Sequence, residues 1–328
     1  MNNDDSHERT VISKASEYLS EYLKNNAEIN TDNLSMMFPL WRNSDIIQFP
    51  SESDISAASK VKALLKEKNV KTAVAAALYP SHTPVEPFGE ISFTELISAY
   101  DDQVKAWDNY VDLYVLDDMC SVVDIRAALI SCKKTEKPVY VFIKTDENGL
   151  TEEFEVPALG ALITAQEMGA DAFGISSDMQ GCDEVVEELL RYAKIPLVVD
   201  NMYKHKSSEI QDDFFIFTHY SNIYFLEADT TEISEPITCQ PGMEEIIADT
   251  CKTSCDILRV QINTCDDAID FARNAHMATR PVMFFSENDL ALKMALMLYQ
   301  GTALIDSTTL IPEDILSEIC KKYGAVIY

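Results

Sequence analysis

Several side chains able to do acid–base, nucleophilic or binding chemistry stand directly behind short apolar runs. Asp117 and Asp118 follow DLYVL (112–116), and Lys144 follows VYVFI (139–143). Ser176 ends AFGIS (172–176) and is followed by Ser177 and Asp178, while Asp200 ends LVVD (197–200) and is followed by Asn201. Two adjacent carboxylates can hold an ammonium group or move a proton. A lysine can form a Schiff base where it is desolvated, although a chain this acidic favours the protonated amine. The hydroxyls and the amide add neutral hydrogen-bonding positions. Loop-starting caps and solvated charges would use the same residue types, so placement has to decide between the readings.

The thiols offer a second chemistry. Cys251 and Cys255 lie one helical turn apart, and Cys239 or Cys265 could supply further ligands to a metal. Reduced thiols near a surface loop are the simpler alternative. The eight cysteines have no framework spacing, which predicts a cytoplasmic chain with its thiols kept reduced. His205, between Lys204 and Lys206, reads as a solvated loop residue, and the other histidines stand alone. GxGxxG, GxxxxGK[ST], HExxH, GxSxG and CxxC are all missing.

The apolar runs predict the elements that must carry these residues. DIIQF (45–49), TAVAAAL (72–78) and the four runs named above are short and continuously apolar, as parallel strands buried on both faces are. Helical patterns over 54–68, 92–107, 121–132, 155–168 and 181–193 separate them, with Gly169 as a C-cap. Repeats of this length close into a barrel or a doubly wound sheet. In a barrel, chemistry gathers at the C-terminal ends of the strands, where the acids, lysine, hydroxyls and amide would share one mouth.

After Asp200 the rhythm loosens. Residues 212–229 read as two short strands or a strand and a loop. Strands are then predicted at 258–262, 281–285, 302–306 and 325–328, with helices at 265–276, 287–299 and 312–323. The fold expected is α/β: a TIM (β/α)8-type barrel over 1–240, including an N-terminal helical extension over 1–40, with a small C-terminal α/β segment over 241–328.

Composition narrows the partners. The 328 residues carry a formal charge of −29, with a pI near 4.4. Nucleic acid and anionic membrane surfaces are disfavoured, because both need a basic face. No apolar run reaches the ~20 residues of a membrane span, and MNNDDSHERT, with acids and no apolar segment, does not read as a secretory leader. Only 9 glycines are present, where roughly 23 would be usual, which argues against glycine-rich phosphate loops.

The blocks EPFGEISFTELISAYDDQVKAW (86–107), DLYVLDDM (112–119), KPVYVFIKTDENG (137–149), MGADAFGISS (168–177) and IPLVVDN (195–201) follow one another as in the homocysteine S-methyltransferase family. The chain resembles that family over roughly residues 60–201, including the homocysteine-binding barrel of cobalamin-dependent methionine synthase. In the family, three cysteine thiolates hold a zinc ion that activates the homocysteine sulfur. Here Ser177 stands where the first of those cysteines belongs, a poor zinc ligand at neutral pH. The adjacent cysteine pair of the eighth strand has no counterpart. Asp117 takes the place of a glutamate that holds the substrate amino group, and Asn201 is what remains of a P-N-A-G motif. The resemblance therefore implies a methyltransferase-like barrel, with Asp117, Asp118, Ser176, Ser177 and Asn201 around a small amino-acid-like ligand.

Residues 281–328 are similar to part of the folate-binding barrel of methionine synthases, with Ser286 and Asp306 in place of the folate-contacting Asp and Asn. Two functions follow from these resemblances. One is methyl transfer to a thiol such as homocysteine, with no cofactor expected and zinc admitted only through other ligands. The other is a non-catalytic relative that binds an amino-acid-like ligand or a corrinoid- or folate-binding partner protein.

Overall fold

A computed structural model describes residues 10–13, 44–51, 55–176, 183–204, 214–227 and 232–328. Its first part is an eight-stranded sheet in consecutive order: β1 (Thr10–Ser13), β2 (Ser44–Pro50), β3 (Ala73–Leu78), β4 (Leu113–Met119), β5 (Val139–Lys144), β6 (Ala172–Ser176), β7 (Leu197–Val199) and β8 (Met202–Lys204). Helices α1 (Ile55–Glu67), α2 (Phe93–Trp107), α3 (Val122–Cys132), α4 (Ala158–Glu167) and α5 (Asp183–Tyr192) lie between successive strands from β2 to β7. Within the expected N-terminal helical extension, the described residues Thr10–Ser13 form the first barrel strand instead. The rest of that extension lies outside the described residues.

The sheet is a nearly closed TIM-type barrel with one departure. Strands β1 to β7 are parallel, but β8 runs antiparallel to β7. Turn chemistry explains the reversal. Asp200 and Asn201 have φ of 48° and 64° and join Val199 to Met202, which is the two-residue hairpin loop that Asn and Asp favour. Asn201 also draws the two ends of the sheet together. Its carbonyl accepts from Val11 N at 3.0 Å. Its side-chain amide accepts from Ile12 N and donates to Ile12 O, each at 2.6 Å.

Alternation along the strands fills the barrel. Ile46, Ala75, Leu113, Val115, Phe142 and Val198 form the inner cluster, while Ile47, Val74, Tyr114, Val141 and Phe173 face the helices. Phe142 pairs with Gly174 across β5 and β6, and its ring occupies the space that a Cβ on Gly174 would need. Gly174→Ala is therefore expected to cost about 1–3 kcal/mol through overpacking, read as a lower urea midpoint with an unchanged slope.

The C-terminal part is an open parallel sheet, also in consecutive order: β11 (Ile237–Thr238), β12 (Leu258–Gln261), β13 (Val282–Phe285), β14 (Leu304–Ile305) and β15 (Val326–Ile327). Helices α6 (Glu244–Cys251), α7 (Cys265–Asn274), α8 (Asp289–Leu298) and α9 (Glu313–Tyr323) connect them. Val260, Phe284 and Ile305 pack with the helices. Ile257, Met283 and Leu304 face the opposite way, onto Phe217 and Leu226. These last two belong to an antiparallel hairpin, β9 (Phe214–His219) and β10 (Asn222–Glu227), so the two-strand reading of 212–229 is the one the structure adopts.

The hairpin and sheet pack against α3 and α4. Both helices are buried almost all round, the condition of a helix covered on two sides. Thr164 of α4 contacts Thr218 at 2.9 Å, and Thr218 N donates to Thr302 Oγ1 at 2.8 Å. Arg126 of α3 is fully buried and donates to three main-chain carbonyls of the C-terminal part: Gly301, Tyr323 and Leu296.

Candidate functional site at the C-terminal rim of the barrel

At the end of β4 the sheet register breaks between Leu116 and Met119. Leu116 and Met119 both pack outward among the helices, so the two residues between them are taken up by a bulge. Bulges of this kind re-aim side chains beside functional sites. Asp117 is buried and accepts from Gln48 Nε2 at 2.6 Å. Asp118 is exposed, in a left-handed conformation with φ of 59°. Gln48 belongs to β2 and is 1% exposed. Its Oε1 has no hydrogen-bond partner among the described residues. A buried acceptor left without a donor costs about 1–3 kcal/mol, so the mouth holds one acceptor in need of a proton beside a carboxylate.

The other expected residues take different positions. Lys144 ends β5, in register with Ser176 at the end of β6. Its Nζ lies 3.9 Å from Glu152 on a partly exposed rim, not the desolvated setting that Schiff-base chemistry needs. Asn201 spends its amide on Ile12, as described above. Ser177 and Asp178 lie outside the described residues, as does His205.

The loops behind β3, β4 and β5 bring together a set that strand-end reasoning misses. His82 Nδ1 is 2.6 Å from Glu153 Oε2, and Cys120 Sγ is 3.4 Å from the same oxygen. The three ligand atoms lie within 4.8 Å of one another. Buried hydrogen bonds fix the loops. Asp124, at the start of α3, accepts from Ser81 N at 3.0 Å, Tyr100 OH at 2.7 Å and Ser121 Oγ at 2.7 Å. Thr151 Oγ1 donates to Cys120 O at 2.8 Å and accepts from Val156 N at 3.0 Å. Burial pushes the Cys120 thiol well above its ordinary range, and the Glu153 contact adds to that. Hydrogen bonding from His82 holds the Glu153 carboxyl below its usual range. As it stands, Cys120 is a thiol donor and not a ready nucleophile.

Beside this set is a cavity of about 360 Å³, lined by Val85, Phe88, Val122, Phe154, Tyr220 and His276 among others. Phe154 and two more lining residues, Thr83 and Ser121, are each the immediate chain successor of one of the three residues.

The cysteine set suggested by sequence spacing does not assemble. Among the described residues the only grouping of three ligand atoms is His82, Cys120 and Glu153. Cys239 Sγ turns to the Gln261 carbonyl and Cys255 Sγ to that of Thr250, both at 3.5 Å. Position accounts for this: Cys239 follows β11 directly, whereas Cys251 ends α6 and Cys255 lies in the following loop.

No protein-family model and no curated protein matches the sequence. Solved structures give distant likenesses. The homocysteine methyltransferase MmuM from Escherichia coli, in its apo form, shares 14% identity over 59% of this chain and 82% of its own, with a TM-score of 0.44. A type I 3-dehydroquinate dehydratase from Clostridium difficile shares 17% over 59% of this chain and 76% of its own, with a TM-score of 0.32. A pyruvate kinase from Pyrobaculum aerophilum shares 11% over 83% of this chain and 53% of its own, with a TM-score of 0.33. At these scores the fold rests on the strand order described above.

Proposed function

We propose that the chain is a homocysteine-methyltransferase-like barrel that binds a small amino acid at its C-terminal mouth. The observation that carries this is the unpartnered Gln48 Oε1 beside the buried Asp117. An ammonium group donates up to three hydrogen bonds, which suits a carboxylate and an amide side by side. The β4 bulge adds Asp118, and Lys144 at the neighbouring strand end offers a cation to the ligand carboxylate. Ser176 ends the next strand, Ser177 comes after it in the sequence, and Asn201 supports the mouth by closing the barrel.

Within this reading, the ligand is a thiol amino acid such as homocysteine and the chemistry is methyl transfer to its sulfur. A second reading has its own support: Ser177 at the position of a zinc-ligating cysteine, and no adjacent cysteines in the sequence. It makes the chain a ligand-binding relative that works beside a corrinoid- or folate-binding methyltransferase.

Calorimetric titration separates these claims from their failure. Homocysteine is expected to bind the wild-type chain, and Asp117→Asn to weaken it about 10–100-fold through loss of one charge-assisted hydrogen bond. The des-amino analogue should bind the wild type no better than homocysteine binds the variant. Equal affinity for homocysteine and its des-amino analogue would remove the ammonium assignment, and absence of any amino-acid binding would remove the function.

A further inference from the structure

We propose that His82, Cys120 and Glu153 form a binding site for a zinc-class divalent transition metal, on ligands unlike the three thiolates of the family that the sequence resembles. An imidazole nitrogen, a thiolate sulfur and a carboxylate oxygen are all zinc donors, whereas calcium and magnesium take oxygen alone. Three protein ligands with a fourth position open is the arrangement of zinc sites that meet exogenous ligands.

The spacing fits with little movement. Tetrahedral bonds of about 2.0–2.3 Å put neighbouring donors roughly 3.3–3.8 Å apart. Cys120 Sγ and Glu153 Oε2 are already 3.4 Å apart. His82 and Glu153, at 2.6 Å, must separate by roughly 1 Å. Their side chains are 61% and 44% exposed, so the separation costs little packing. The main chain beneath them stays fixed. Asp124 ties the Ser81 amide to the start of α3, and Thr151 ties the Glu153 loop to the Cys120 carbonyl. Three loops from consecutive strands are thus held in place by buried or half-buried hydrogen bonds, the outer support that metal ligands require.

The surroundings also favour one kind of fourth ligand. The residue after each donor lines the apolar cavity. With two of its ligands exposed to solvent, a metal at this rim would be open to water or to a soft donor such as an organic thiol, with the apolar cavity beside it. The site does not depend on the amino-acid reading of the barrel mouth, because it shares none of its side chains.

The test uses the full chain, stripped with chelator and titrated with Zn²⁺ by calorimetry, with elemental analysis of the reloaded protein. One zinc per chain is expected. His82→Ala, which alters only an exposed side chain, is expected to weaken zinc at least about tenfold, and so is Glu153→Gln. Co²⁺ should give a thiolate charge-transfer band in the wild type that is missing from Cys120→Ser, while Cys265→Ser keeps it. The proposal is overturned by absence of stoichiometric zinc, by unchanged affinity in His82→Ala and Glu153→Gln, or by a band that survives Cys120→Ser. His82→Ala keeps the test decisive should Cys120→Ser fail to fold. Loss of amino-acid binding in Asp117→Asn would leave all of these readouts unmoved.

Discussion

Replacing Arg126 with alanine is expected to cost about 4 kcal/mol and to split a single unfolding transition into two. The guanidinium is wholly buried in α3, and its hydrogen-bond partners among the described residues are main-chain carbonyls and the Met168 sulfur, none of them a carboxylate. Burial drives its pKa down to about 10, so it remains a cation at neutral pH. A depression of that size corresponds to a penalty of roughly 3 kcal/mol for holding the charge. Against it stand three charged hydrogen bonds, to Gly301 O, Tyr323 O and Leu296 O, each of a kind measured at about 1.5–3 kcal/mol. Two of those carbonyls belong to the last turns of α8 and α9, where helix dipoles also favour a cation. The lowered pKa is the balance left after those bonds are counted, so the site gains from satisfied carbonyls and filled volume rather than from the charge itself. Alanine would leave a cavity and three carbonyls without donors.

Arg126→Met separates the contributions. It keeps much of the volume and removes the charge, so the desolvation penalty vanishes while the carbonyls stay orphaned. A loss of about 1–3 kcal/mol is expected. A methionine variant as stable as the wild type would show that the buried arginine confers no net stability, as replacement of some buried ion pairs has done. Trp107 is buried in α2 of the barrel, so its fluorescence follows the barrel while circular dichroism follows the whole chain. Coincident urea transitions in Arg126→Ala would count against the predicted uncoupling.

The strands that sequence patterning locates best are those buried on both faces. Continuous runs such as VYVFI and TAVAAAL leave few alternatives, and β3 and β5 fall within a residue of the predicted limits. The docking of a second layer onto α3 and α4 is also written in the sequence, because VVDIRAALISC and ALGALITAQE have little polar face to give to water. The short strands are another matter. β1, β8 and β11 have 4, 3 and 2 residues, too few for an alternation to show, and β1 and β11 exist by pairing with strands more distant in the chain. The hairpin before β8 did carry a signal in Asp200-Asn201, since both residues tolerate the left-handed turn positions. Read only as a worn binding motif, the pair conceals that role.

The site divides in the same way. Strand ends place Asp117 and Lys144 at the mouth, because a barrel sets every strand end on one rim. The bulge at Asp117-Asp118 is invisible to patterning. One extra residue changes which face Met119 takes only relative to β5, and that register is a tertiary fact. His82 and Glu153 are 71 residues apart and lie inside loops, not at strand ends. Their meeting depends on the Asp124 and Thr151 hydrogen bonds that fold the loops inward.

Acid is expected to weaken the fold through His219, by up to about 3 kcal/mol between pH 6.5 and pH 4. The ring is 1% exposed at the end of β9. It stacks on Tyr299 at 4.9 Å and meets Tyr220 edge-on at 4.7 Å. Nε2 lies 3.0 Å from Ala275 O, so Nε2 carries the proton, and Nδ1 has no partner among the described residues. Desolvation lowers the pKa from 6.5 to about 4, with the Ala275 hydrogen bond opposing and His276 adding a little. The folded chain thus takes up this proton only near pH 4, whereas the unfolded chain takes it up near pH 6.5. Between those values the unfolded state binds more protons, so stability rises with pH and is lost as acid is added. A shift of this size is worth roughly 3 kcal/mol when fully expressed. The net charge of −29 works in the other direction, because protonating carboxylates relieves self-repulsion in the compact state. The wild-type profile alone therefore mixes two opposing slopes. His219→Gln keeps an amide donor for Ala275 O and cannot titrate, so it isolates the histidine. Its urea midpoints should fall less steeply than those of the wild type from pH 6.5 to pH 4, with the two curves approaching each other at the acid end. Parallel curves would mean that His219 takes up its proton at the same pH in the folded and unfolded chains, and that the packing of Tyr299 and Tyr220 around it does not exclude water.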